Sequence, residues 1–178
     1  MKKDIRPLYE AHGAEGYYQA HADSYENPHF PQVEALLRRN APRLDCSALL
    51  DLSAGGGEAS QIFLALGLRG ITGCDPYTYA LFEKNTGLPC LRLSFKDIVR
   101  EGLPGQYSAI VCSFALHLCP EKDLFPLCWQ LFQAAPLLLV ITPHKRPELE
   151  RLPGIRLAWE DAELTERGKK VRLKAYEM

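Results

Sequence analysis

An apolar run of strand length, Ala48 to Leu52, ends in Ser53-Ala54-Gly55-Gly56-Gly57, and a helix-patterned segment from Glu58 to Leu66 follows and stops at Gly67. Strand, glycine turn and helix in that order constrain the fold more than any other feature of the chain. A turn of this kind lets backbone N–H groups approach an anion or carboxylate at a helix N-terminus, where the helix dipole also favours negative charge. The alternation continues downstream. A strand over Ile71 to Cys74 closes on Asp75-Pro76, where proline ends ladder pairing, and a helix runs through Tyr79 to Lys84. A short strand follows at Cys90 to Leu93, a fourth at Tyr107 to Cys112, and a fifth at Leu137 to Thr142. Between the last two, Leu124, Leu127, Cys128, Leu131 and Phe132 mark one face of a helix reaching Ala134. Repeated βα units predict a parallel sheet with helices on both faces.

Beyond Thr142 the pattern changes. Pro143 to Pro153 is a polar, proline-marked connection, and Ile155 to Leu164 and Val171 to Tyr176 read as two strands of an antiparallel hairpin joined at Glu166-Arg167-Gly168-Lys169. The basic residues Arg167, Lys169, Lys170, Arg172 and Lys174 alternate with Val171, Leu173 and Ala175, which is the wet face of a strand rather than a nucleic-acid patch. The chain's 178 residues, 47% of them hydrophobic, are enough for one domain with a real core. Net charge is -1, so no broad positive field is available to grip a phosphate backbone, and nucleic acid is an unlikely partner. The six cysteines contain no C-x-x-C pair and read as free thiols in a reducing compartment. No apolar stretch follows Met1-Lys2-Lys3, and the longest apolar run is too short to span a bilayer, so a soluble, cytoplasmic protein without a membrane partner is expected. Oligomeric state is not legible.

Two cofactor readings compete at the glycine turn. Gly55-Gly56-Gly57-Glu58-Ala59-Ser60 is a near miss to the dinucleotide pattern G-x-G-x-x-G, with serine in the last place. The acid before the loop favours the other reading. Asp51-Leu52-Ser53-Ala54-Gly55-Gly56-Gly57 resembles the first motif of class I S-adenosylmethionine-dependent methyltransferases, an acid followed by spaced glycines, with Ser53 replacing the first glycine. Asp75, at the tip of the next strand, stands where a carboxylate accepts hydrogen bonds from two ribose hydroxyls.

The resemblance spans about Ala48 to Thr142 and implies a doubly wound, mainly parallel seven-stranded α/β sheet with a C-terminal antiparallel hairpin, all in a single domain. Within it, residues 1–40 would form an N-terminal helical cap or lid, 47–142 the cofactor-binding core and 155–177 the hairpin. The cofactor implied is S-adenosyl-L-methionine. By the resemblance, the backbone of Ala54, Gly55 and Gly57 would hold its methionine part, with Asp51 orienting the loop and the amino group. Asp75 would bind the ribose, Pro76 and Tyr77 would border the adenine, Asp97 would accept from the adenine amino group and Ile98 would cover the ring. Ser113 and Phe114 would stand between cofactor and acceptor. Asp97 has a second reading, because Ser94-Phe95-Lys96-Asp97 has capping-box spacing.

The segment before the first strand carries Tyr17, Tyr18 and Tyr25 with His21 and His29, then a helical stretch from about Gln32 to Arg39. Its tyrosines are candidates for a lid over a small-molecule substrate, and His21, His29 and His117 are candidate proton acceptors. No metal is expected, since no His/Cys/Asp cluster has zinc spacing. Two alternatives stay open beside an S-adenosylmethionine-dependent methyltransferase: a catalytically silent cofactor-binding or scaffold protein of the same fold, and a nucleotide-cofactor oxidoreductase.

Overall fold

The computed structural model describes residues 28–178. Seven strands form one sheet: β1 (Leu49–Leu52), β2 (Ile71–Cys74), β3 (Cys90–Leu91), β4 (Ala109–Ser113), β5 (Leu138–Thr142), β6 (Arg156–Leu164) and β7 (Lys170–Glu177), in the order β3-β2-β1-β4-β5-β7-β6. The first five are mutually parallel, whereas β7 runs antiparallel to both β5 and β6. The chain builds outward from β1 to β3 and then returns to place β4 on the other flank of β1. That reversal opens a crevice at the carboxyl ends of β1 and β4, where ligands of open α/β sheets bind.

Among the described residues, five α-helices cover the sheet: α1 (Phe30–Asn40), α2 (Glu58–Ala65), α3 (Tyr79–Thr86), α4 (Phe95–Glu101) and α5 (Glu121–Ala134). The two-residue period of the strands sorts their apolar side chains into two cores. Leu50 and Leu52 of β1 pack with Ile110 and Cys112 of β4 against Ile98 of α4 and Leu127, Cys128 and Leu131 of α5. Leu49 joins Val111 and Leu139 on the opposite face, against Val33, Leu36 and Leu37 of α1 and Ile62 and Phe63 of α2. Each fully buried leucine contributes about 2 kcal/mol of transfer free energy. By the same alternation Asp51 belongs to the α1/α2 face, which determines its partner below.

Some elements differ from their sequence reading. β3 is two residues long instead of four, because the chain turns at Ser94 into α4. β4 begins at Ala109, since the Tyr107 N–H donates to the Ala134 carbonyl at the end of α5 (2.8 Å) instead of entering the ladder. Helix α5 starts at Glu121, with Glu121 and Asp123 in its first turn where the helix dipole favours acids. The strand at the C-terminal edge of the sheet, opposite β3, is β6, and the charges there are largely acidic; the basic β7 lies one strand in, with Val171, Leu173 and Ala175 buried between its cations. Arg39 of α1 reaches this edge, donating to Asp161 (2.8 Å) and Glu163 (2.9 Å). The guanidinium hydrogen bond holds the Asp161 carboxyl down at about 2.

Helix α3 presses onto β2 through Phe82, which is fully buried. A Cβ at Gly73 would lie 2.5 Å from that buried ring, so ring or backbone would have to shift. Gly73→Ala is therefore expected to destabilise the fold by about 1–3 kcal/mol, read by denaturant unfolding, and Phe82→Leu in the same chain should recover part of the loss.

Candidate functional site

One cavity of about 350 Å³ occupies the crevice at the strand tips. Each of four strands contributes a wall: Ser53, Ala54 and Gly55 beyond β1, Asp75 to Tyr77 beyond β2, Leu93 to Lys96 beyond β3, and Ser113 to Ala115 at β4. Glu58, Leu118 and Pro120 complete it. Its volume falls in the range of small-molecule and cofactor sites.

Two residues of this wall carry a conformation that side chains avoid. Among the described residues, Ser53 (φ 55) and Phe114 (φ 59) are the non-glycine positions in the left-handed region. A Cβ there costs on the order of 1–2 kcal/mol, and such positions concentrate at functional sites. They occupy neighbouring strand tips, because β1 and β4 pair up to Leu52 and Cys112. The strain thus sits at the crevice and nowhere else among the described non-glycine residues. Phe114 also stacks on His29, the residue before α1, with ring centroids 5.3 Å apart.

Asp51 lies behind the glycine loop. Its Oδ2 accepts from the Ser60 N–H (3.2 Å) and the Ser60 hydroxyl (2.7 Å), tying the end of β1 to the first turn of α2. Its Oδ1 is buried with no partner among the described residues. Burial pushes the carboxyl up to about 7, against the pull of the Ser60 hydrogen bonds. The turn itself needs Gly57, whose φ is 88 and whose absent Cβ leaves room for Thr86 and Phe82 of α3.

Asp75 is buried at the tip of β2. Its Oδ1 accepts the N–H groups of Tyr77 and Thr78 (2.9 Å each), and its Oδ2 accepts the Gly55 N–H at 3.2 Å. This carboxylate therefore shapes the β2–α3 turn and holds the glycine loop, beyond any role toward a ligand. It is more structural than a solvated strand-tip acid would be.

Of the residues singled out by sequence, Ser53, Ala54, Gly55, Asp75, Pro76, Tyr77, Ser113 and Phe114 meet at the cavity. Asp51 and Gly57 stand behind its wall. Asp97 does not line it: the carboxylate closes the capping box, accepting from the Ser94 N–H (2.9 Å) and hydroxyl (2.6 Å), and pairs with Arg100. Ile98 is fully buried in the core beneath α4. The third wall is instead Leu93 to Lys96, which pattern reading missed; their place immediately after a parallel strand was the available signal. His117 also lies off the cavity wall, its ring 4.3 Å from that of His144. Partial burial and the neighbouring His144 hold His117 below the ordinary histidine range, and burial does the same for His29, with Lys169 and His144 adding to it. Tyr17, Tyr18, His21 and Tyr25 lie outside the described residues. Among the described residues there is no group of three or more metal-ligating side chains, and no helix long and apolar enough to cross a membrane.

This fold is that of the class I S-adenosylmethionine-dependent methyltransferases. Over 98% of its length the chain superposes on 95% of magnesium protoporphyrin IX methyltransferase (ChlM) from Synechocystis PCC 6803 with bound SAM, at a TM-score of 0.66 and 15% identity. An SAM-dependent methyltransferase from Leishmania major matches 98% of this chain with 91% of its own, at a TM-score of 0.70 and 14% identity. The CcbJ methyltransferase of Streptomyces caelestis matches 89% of this chain with 95% of its own, at 0.66 and 12%. In sequence, the chain belongs to the same family as the uncharacterized protein C17A5.05c of Schizosaccharomyces pombe, at 30% identity over an alignment of 191 positions that covers 79% of this chain and 75% of that one. No family model matches.

A carboxyl with its folded pKa raised from 3.8 to about 7 stabilises the fold while protonated and ceases to as pH rises between those values. His117 and His29, whose pKa values are lowered, act in the opposite sense over part of that window. The difference between wild type and Asp51→Asn isolates the carboxyl. Chemical unfolding from pH 4 to pH 8 should show the wild type losing stability relative to Asp51→Asn as pH rises; a difference independent of pH would mean that Asp51 is ionised throughout.

Proposed function

We propose that this chain is an S-adenosylmethionine-dependent methyltransferase acting on a small-molecule acceptor. The observation that carries this reading is the pair of left-handed residues, Ser53 and Phe114, at adjacent strand tips around one cavity at the sheet's switch point. The residues present fit the cofactor. Glycines bring backbone close to the wall, Asp75 stands at the rim for a ribose, and the orphaned Asp51 Oδ1 lies behind the loop that would receive the methionine part. Pro76 and Tyr77, with Leu93 and Phe95 in place of Asp97 and Ile98, form the apolar slot for the adenine.

The bound cofactor supplies a sulfonium methyl that is already activated. The chain's task is then to align a nucleophile and exclude water. His29 stacks on Phe114 of the cavity wall, and His117 packs against His144 off it. Depressed pKa values leave both imidazoles neutral near pH 7, the form that accepts a proton from an oxygen or nitrogen nucleophile. A net charge of -1 and the small cavity favour a compact acceptor, and the name of the Synechocystis neighbour also specifies a small molecule. All six cysteines are free, which suits a reducing compartment such as the cytoplasm.

Titration calorimetry tests the cofactor: S-adenosylmethionine binding tighter than NAD(H) or NADP(H) is expected, and the reverse order would make the chain a nucleotide-cofactor oxidoreductase. Transfer of labelled methyl into a size-fractionated cell extract tests the acceptor, with label expected in the small-molecule fraction; label confined to RNA or protein overturns that part. Asp75→Ala should weaken S-adenosylmethionine binding by about 1–3 kcal/mol. It should also lower Tm, because Gly55, Tyr77 and Thr78 lose their acceptor. Unchanged affinity in the folded variant would remove Asp75 from the site.

A further inference from the structure

The glycine loop has few donors left for a ligand. The Ala54 N–H donates to the Cys74 carbonyl (3.2 Å), the Gly55 N–H to Asp75 (3.2 Å) and the Gly57 N–H to the Ala54 carbonyl (2.8 Å). The Gly56 N–H makes no hydrogen bond among the described residues, but Gly56 is not on the cavity wall. The wall near β1 instead offers acceptors: the loop carbonyls and the carboxylates of Glu58 and Asp75. Such a surface suits the ammonium of an amino acid, whereas its carboxylate needs a hydrogen-bond donor.

Beside these amides stands a side-chain donor. Ser53 lines the cavity, and its hydroxyl makes no hydrogen bond within the described residues. It stands where the related motif has glycine, and it is held at φ 55, a conformation glycine would adopt without a Cβ penalty. A hydroxyl kept in a left-handed position, facing a cavity and beside amides that are already engaged, is placed to serve a ligand. Resting on the cofactor reading above, we propose that Ser53 is a cofactor-positioning residue whose hydroxyl donates to the carboxylate of the methionine part, replacing the loop amides in that role.

The proposal separates the carboxylate from the rest of the cofactor, and so does its test. Full-length wild type and Ser53→Gly are titrated calorimetrically with S-adenosylmethionine and with decarboxylated S-adenosylmethionine, which lacks only that group. Wild type should prefer the carboxylated ligand. Ser53→Gly should lose about tenfold in affinity for S-adenosylmethionine, the loss expected for one hydrogen bond to a charged group, and little for the decarboxylated analogue. Tm of the variant should equal or exceed that of wild type, because glycine relieves the left-handed strain. A retained preference in Ser53→Gly, as Lys96 or Ser113 would produce by taking the carboxylate, overturns the proposal, as does an equal loss for both ligands. Wild type that binds neither ligand overturns the cofactor reading itself, and the proposal falls with it.

Discussion

Asp51 is the point from which the site is built. A carboxyl group buried to 2% exposure near the end of β1 needs hydrogen-bond donors, and it finds two in the N–H and hydroxyl of Ser60, in the first turn of α2. This bond sets how α2 leaves β1, and it forces the intervening residues into a tight loop. Gly57 takes the left-handed turn that starts the helix, and because it has no Cβ, Thr86 and Phe82 can close on it from α3. Asn85 then donates to the Gly56 carbonyl (2.9 Å), and Asp75 accepts from Gly55. The loop is held from behind by β1, from the side by α3 and from above by β2.

A loop clamped on three sides is preorganised, and preorganised sites order few groups on binding. The clamping also engages the Ala54, Gly55 and Gly57 amides, of the kind that give glycine turns their affinity for anions. In this chain the wall therefore presents carbonyls, carboxylates and a serine hydroxyl where backbone donors alone would be expected. Rigidity and ligand chemistry are linked through the same hydrogen bonds. Across the crevice Phe114 carries comparable strain, and its stack on His29 joins the cavity to the segment that enters α1.

Local chemistry was legible in the sequence. The glycine triplet after an apolar run, the proline after Asp75 and the Ser94–Asp97 capping box each specify backbone geometry within a few residues, and each forms. The antiparallel pairing of β6 with β7 was likewise visible from two alternating segments around Gly168. Legibility failed where a residue had two competing partners. Asp97 satisfies the cap of its own helix, a contact three residues away, and so does not reach the cavity. The His117–His144 contact joins residues from the ends of β4 and β5, a proximity set by sheet order that no local pattern encodes. The left-handed backbone at Phe114 was hidden for the same reason, since an aromatic residue gives no sign of a positive φ. Sheet order also decides that the acidic β6, not the basic β7, forms the C-terminal edge.

The central claim is that the crevice between β1 and β4 receives S-adenosylmethionine. Crystals grown with S-adenosylhomocysteine test it most directly. Ligand density is predicted along the tips of β1, β2 and β4, with the ribose at Asp75, the amino-acid end at Ser53 and the sulfur toward Phe114. A ligand ordered elsewhere on the molecule, or a crevice left empty at saturating ligand, would contradict it.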